Sequence, residues 1–208
     1  MEQISVIAVD VGALKNIGWW RDSGSGLTTS GRDLDGAVDT VCLDLLAGRP
    51  VAIGFEAPLF IPAPAEQSSL NLQRVGENGR PWSAGAGTGV LALGLQQAAY
   101  VFEGIAKRVR PRVTFDPNVL LKGDSDLLVW EAFVSGKAKD RTAADPHIDD
   151  ARRAVSEFSA RLRRGLVTSD IDESLVLNLA AAGLLASGLT SDLALLRAPC
   201  IVVAPPAL

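Results

Sequence analysis

Three apolar runs in this chain end on, or carry, a carboxylate, and their placement constrains the fold more than any other feature. In ISVIAVD, Ile4 to Val9 are almost uniformly apolar, and Asp10 follows with Gly12 two places on. VAIGFEAP sets Ile53 and Phe55 on one face and stops at Glu56, before Ala57-Pro58. LLVWEAFV holds Glu131 inside an otherwise apolar run. Runs of this kind read as strands buried on both faces. The C-terminal ends of such strands are where α/β sheets build their sites. A carboxylate there costs several kcal/mol unless a cation or hydrogen-bond donors meet it. Each acid taken alone is explained by an ion pair. Three converging acids are explained together by a hard divalent cation with oxygen ligands, Mg²⁺ or Mn²⁺.

The rest of the chain supplies a fold for those strands. After the first strand, 16–21 and 26–30 read as a hairpin broken by DSGSG. Residues 34–47 carry Ala37, Val38, Val41 and Leu45 at helical spacing before Gly48 and Pro50. The strand from Val51 follows. Residues 59–88 lack periodicity and are rich in Pro, Gly, Ser and Asn, which reads as a lid or binding loop or else as a mobile segment. A long helix is predicted over 90–109, with its cap at Thr88. A short strand at 113–115 and the Glu131 strand come next. DPHIDDARRAVSEFSARLRRG is a helix punctuated by an Asp cap, Pro in the first turn and a closing glycine at 165. Leu175 to Leu189 reads as a buried helix, with Asp172 and Glu173 as acids of its first turn, and CIVVAP as a last strand. The order predicts one α/β domain over 1–208 with a mixed sheet.

Composition narrows the function classes. The 208 residues are 48% apolar, enough for one substantial core. No apolar run reaches the length of a membrane span, and the first strand follows the N-terminus without the pattern of a signal peptide. Cys42 and Cys200 are too far from other ligand types to suggest a zinc site or disulfide framework, so a cytoplasmic setting is expected. The net charge of −4 argues against non-specific coating of nucleic acid. The basic runs Lys107–Arg112 and Arg161–Arg164 fall at helix ends, where cations complement the dipole.

The helix over 146–164 brings a further acid. Its apolar stripe is Ile148, Ala151, Val155, Phe158 and Leu162. Asp149 falls almost opposite the stripe and is expected in solvent. Asp150 and His147, three residues apart, share one flank. His147 is the only histidine in the chain, and serves either as a partner to a ligand, as a base or as a structural residue.

The Asp10–Gly12 strand end, the hairpin with IGWW, the following helix and the strand ending Glu56-Ala57-Pro58 together resemble the ribonuclease H-like superfamily. Within it, the chain is most similar to an uncharacterised bacterial family of predicted RNase H-like nucleases. The resemblance covers most of the chain and extends to Glu131 at a strand end and to an Ala-rich helix near the C-terminus. It implies a mixed five- to six-stranded sheet flanked by helices, and metal-dependent cleavage of phosphodiesters in nucleic acid. Catalytic members of the superfamily carry an Asp on a late helix. The Ala-rich helix SLVLNLAAAGLLASG has Asn178 there instead, a weaker neutral ligand, so Asp150 or Glu131 takes that role or the site is impaired.

These readings combine into an expected site. Asp10, Glu56, Glu131 and Asp150 are candidate ligands for one or two Mg²⁺ or Mn²⁺ ions about 3.5–4 Å apart, which would activate water and stabilise a leaving oxygen. His147 joins them as a candidate catalytic residue. Arg74 and Arg80 in the long loop, and Lys137 and Lys139 in SGKAKD, are candidate phosphate-binding residues. Trp82, beside Arg80, either stacks on a base or packs. The loop GRPWSAGAGTG matches neither the Walker pattern nor the dinucleotide fingerprint. Two other classes are consistent with the sequence. One is an inert RNase H-like scaffold with a binding or structural role. The other is an actin-like nucleotide-binding protein, which would need a second lobe or a dimer, since only one Asp-x-Gly motif is present. The oligomeric state is open.

Overall fold

Asp10 and Glu56 owe their position to two parallel strands at the centre of a mixed sheet. The computed structural model describes residues 3–77 and 79–208. Strand β1 (Ser5–Asp10) pairs antiparallel with β2 (Gly18–Asp22), which pairs antiparallel with β3 (Thr28–Gly31). On its other side β1 runs parallel to β4 (Val51–Phe55), and β4 runs parallel to β7 (Leu127–Ala132). The far edge of β7 is shared by two short parallel strands. β6 (Val113–Thr114) pairs with its first half and β9 (Val202–Val203) with its end. The main sheet therefore has seven strands, one more than the upper bound expected, because the edge beyond β7 is built from two pieces. A separate two-stranded sheet joins β5 (Phe60–Pro62) and β8 (Val176–Asn178).

Both faces of the central strands are covered, as their unbroken apolar runs require. Ile7, Val9, Ile53, Phe55 and Val129 point into one core, against helices α1 (Leu34–Leu46), α2 (Ala86–Ala106) and α5 (Leu179–Ala186). Val6, Ala8, Ala52, Leu128 and Trp130 point into the other, against α4 (Pro146–Arg163). Trp130 lies across Gly54, where a β-carbon would sit 2.4 Å from its ring, and its ring is 4.4 Å from that of Phe158 on α4. The alternation of the two cores along each strand is the ordinary period of two.

The segment after β4 differs most from expectation. The stretch 59–88 contains β5 and is tied down at Arg74 and Glu77, both buried. α2 begins at Ala86, two residues before the cap expected at Thr88, and Gly85 precedes it with φ of 57° and no side-chain cap. A short helix, α3 (Pro117–Leu121), is capped by Asp116 and was not legible as one. The predicted helix from Leu175 is a strand up to Asn178, and α5 starts only at Leu179. Asp172 and Glu173 lie before β8 and bind the loop instead: the Asp172 amide donates to the Val75 carbonyl, and Glu173 accepts from the Val75 amide.

Candidate metal centre

The end of β1 meets three other elements. In the β1–β4 ladder Val9 lies opposite Phe55, so the next residues, Asp10 and Glu56, emerge side by side. Both share the face of Ala8 and Ala52, towards α4. α2 supports the two turns from the opposite face. Gln97 donates to the Gly12 carbonyl and accepts from the Gly12 amide, and a β-carbon at Gly94 would sit 2.2 Å from that of Ala57. On the α4 side, Asp10 faces Gly18 across the β1–β2 ladder. Gly18 is where the start of α4 crosses the sheet: a β-carbon there would lie 2.5 Å from the His147 carbonyl carbon. Asp145 caps α4 through the Ile148 amide and is held by Arg32 at 2.6 Å. The bare Gly18 and the anchored cap together bring His147 and Asp150 to the end of β1.

The result is a cluster of three carboxylates. Asp10, Glu56 and Asp150 each offer an oxygen, and these oxygens lie within 4.8 Å of one another. His147 Nδ1 is 2.5 Å from Asp10 Oδ2. Lys139, from the turn after β7, places its ammonium 2.6 Å from Glu56 Oε1 and 2.6 Å from Asp150 Oδ2. Glu56 Oε2 and Asp150 Oδ1 are buried with no hydrogen-bond partner. Buried acceptors without partners are rare and costly, and here two of them belong to one acidic cluster. That is the donor set a hard cation requires: oxygen atoms, net negative charge and spare lone pairs.

The charges within the cluster strain against one another. Burial pushes the Asp10 carboxyl from 3.8 up to about 6. Glu56 and Lys139 work against that rise, and Asp150 adds to it. Glu56 is raised well above its ordinary range, first by burial and then by the negative charge of Asp10. Burial works against the Lys139 ammonium, but Glu56 and Asp150 outweigh it and hold its pKa above the ordinary lysine range. One lysine does not satisfy three carboxylates. A divalent cation fits the remaining demand.

Two expected site residues form a different cluster. Glu131 is fully buried, and its carboxylate is gripped by Arg74 through Nη1 at 2.8 Å and Nη2 at 2.6 Å, and by the Leu59 amide at 2.9 Å. Arg74 also donates from Nε to Glu77 at 2.8 Å, and its guanidinium lies 4.7 Å from the centre of the Phe60 ring. Burial works against the guanidinium's charge, but Glu131 and Glu77 more than offset it and raise its pKa. Glu131 is thus corrected from cation ligand to the acid of a closed ion-pair network, and Arg74 from phosphate binder to its buried cation. The cause is strand register. Glu131 lies opposite Phe55, so its side chain shares Phe55's face, while Glu56, one residue further on, faces α4.

Asp149 is not in solvent: Arg152 and Arg153 both pair with it. Asn178 is fully buried, caps α5 through the Ala181 amide at 2.9 Å and donates to the Ala198 carbonyl at 2.8 Å. It takes no part in the acidic cluster, where Asp150 is the helix-borne acid. A cleft of about 600 Å³ opens beside Glu56 and Lys139. Arg80 and Trp82 line it, whereas Lys137 is exposed and does not. Arg141, which sequence reasoning passed over, lines the same cleft. Its only signal was its position two residues beyond Lys139.

No family model, curated protein or solved structure matches this chain. Among the described residues, no helix is long and apolar enough to cross a membrane.

Proposed function

We propose that the protein is a metal-dependent phosphodiesterase of ribonuclease H-like fold, acting on nucleic acid, with Asp10, Glu56 and Asp150 as the ligands of Mg²⁺ or Mn²⁺. The observation that carries this reading is the pair of buried, unpartnered oxygens, Glu56 Oε2 and Asp150 Oδ1, within a three-carboxylate cluster. The succession of strand, hairpin, helix and parallel strand, with acids at both parallel strand ends, supports the fold assignment. A bound divalent ion would supply an activated water and charge neutralisation for a leaving oxygen. In this reading the chain's own residues divide the work. Asp10 and Glu56 are fixed by the sheet and by α2, Asp150 by α4. His147 orients the Asp10 carboxylate, and Lys139 balances charge between Glu56 and Asp150.

The test is thermal unfolding with increasing Mn²⁺, paired with cleavage assays on single- and double-stranded DNA and RNA. Saturation at about a hundred times Kd should stabilise the protein by about 2.7 kcal/mol. Asp10→Asn and Glu56→Gln should abolish both the stabilisation and the cleavage. No Mn²⁺ response at millimolar concentration would sink the proposal.

A second reading is favoured by one observation, the seat of Lys139 between two of the three acids. Here the ammonium is the cluster's permanent cation, and the domain is a non-catalytic scaffold. It requires that Mn²⁺ cause no stabilisation in the native chain, and that Lys139→Met destabilise it.

A further inference from the structure

The cleft beside the acidic cluster has a composition that a cation centre alone does not explain. Two of its side chains, Arg80 and Arg141, are exposed guanidiniums with no acidic partner among the described residues. Elsewhere on the surface Arg32, Arg108, Arg112 and Arg152 each hold a carboxylate, whereas Arg110, Arg163 and Arg164 are exposed without one among the described residues. What sets Arg80 and Arg141 apart is that they line one cleft. The same cleft is also lined by the apolar side chains of Pro58, Trp82, Phe133 and Val134. Arg80 and Trp82 do not sit on a loose loop. The Arg80 amide donates to the Glu77 carbonyl at 3.0 Å, and the Trp82 amide donates to the Glu77 carboxylate at 3.1 Å. Glu77 belongs to the closed network around Arg74. The segment bearing Arg80 and Trp82 is therefore fastened to β7 through buried ion pairs. Its underside is fixed as well, since a β-carbon at Gly87 would meet the Pro81 carbonyl oxygen at 2.3 Å.

A preformed cleft of about 600 Å³ is of the size that takes small organic ligands. The rings of Trp82 and Phe133 suit a heteroaromatic base, and guanidiniums in the same cleft suit a phosphate. We propose that the cleft binds one nucleoside 5′-phosphate unit, with the base between the apolar walls and the phosphate on Arg80 and Arg141, facing the acidic cluster. That unit is supplied either by a free nucleotide or by the phosphorylated end of a single strand. The proposal rests on the reading above, because a phosphate approaches Glu56 only when a cation offsets its charge. It adds the substrate class: an unpaired nucleotide rather than the regular backbone of a duplex.

Calorimetric titration of the full chain, with Mn²⁺ present, tests this with AMP, UMP, adenosine and inorganic phosphate. The monophosphates should bind, and adenosine and phosphate should each bind at least about tenfold more weakly, as expected when one half of a two-part site is unfilled. Arg80→Ala and Arg141→Ala should each weaken AMP roughly tenfold, the loss of one charge-assisted contact, while leaving adenosine binding and the Mn²⁺ thermal shift unchanged. Competition by a 5′-phosphorylated hexanucleotide assigns the site to strand ends, and competition by free monophosphate alone assigns it to nucleotides. Either result supports the proposal. It is overturned if phosphate alone binds as tightly as AMP, if a blunt duplex competes as well as the single strand, or if AMP fails to bind at millimolar concentration while the Mn²⁺ shift is intact. That last result leaves the cation centre standing. A missing Mn²⁺ shift removes the cation centre and this proposal together.

Discussion

Two acidic clusters lie at the same end of the parallel strands β1, β4 and β7, on opposite faces of the sheet, and they differ in how their charge is met. In the Arg74 cluster, two carboxylates share one guanidinium, backbone amides complete the bonding, and all three side chains are sealed from water. In the Asp10 cluster, Glu56 and Asp150 share one ammonium that is a third exposed, Asp10 meets His147, and two oxygens have no partner. The first has satisfied its bonding capacity and holds structure. The second has not, and it opens on a cleft. Unmet demand, rather than the number of acids, separates a site from a staple.

The largest expected effect breaks the closed cluster. Arg74→Met leaves Glu131 and Glu77 buried without their cation, and should destabilise the protein by about 3–5 kcal/mol, the usual cost of stranding a buried charge. Urea unfolding measures this. The same variant, where folded, should keep its Mn²⁺ response, because Arg74 touches none of the three clustered acids.

The open cluster should respond in the opposite sense. Asp10 is raised from 3.8 to about 6 in the folded chain, so the native state holds this proton more tightly than the unfolded one. The stability it contributes is present below about pH 4 and lost as pH rises through 6, a change of about 3 kcal/mol by linkage. Asp10→Asn should remove this component. The difference in unfolding free energy between native protein and variant should therefore drift against the native protein across that window. Mn²⁺ competes with the same proton, so its affinity for the native chain should rise with pH through about 6. A flat difference curve would mean that Asp10 is not desolvated as described.

Gly18→Ala gives a smaller effect that still discriminates. The added methyl must displace the backbone at His147, with an expected cost of about 1–3 kcal/mol. Because the displaced element carries Asp150, Mn²⁺ affinity should fall along with stability. The smallest effect is expected at Asn178→Ala. Loss of the α5 cap should cost about 1 kcal/mol with Mn²⁺ binding unchanged, and a weakened Mn²⁺ response would instead return Asn178 to the site. Chemical denaturation with Mn²⁺ titration reads both.

Much of this architecture is legible in the residues themselves. Apolar period and sharp punctuation reveal β1, α1, β4, β7 and α4, and the Asp145-Pro146 start and Gly165 stop of α4 lie where the motifs put them. The acids Asp10 and Glu56 share a sheet end because parallel strands with matching apolar runs align. Glu131 has the same local signature, and its different fate depends on register with β4 and on a guanidinium 57 positions away in the chain. Neither is written in the strand. Val176–Asn178 is similar: its apolar, Ala-flanked sequence suits a helix, but pairing with Phe60–Pro62 makes it a strand. Lys139 was visible as a cation near the site, though not as one lodged among its ligands.

The three clustered oxygens come from positions 10, 56 and 150, at the ends of two strands and in one helix. About two thirds of the chain must close its loops before they meet, and no short stretch contains even two of the three acids in place. A cation held by all three is thus a reporter of the central topology, blind to local fraying but silent until β1, β4 and α4 have assembled. During refolding, Mn²⁺ binding should be among the last signals to return, after helix content and after burial of Trp130.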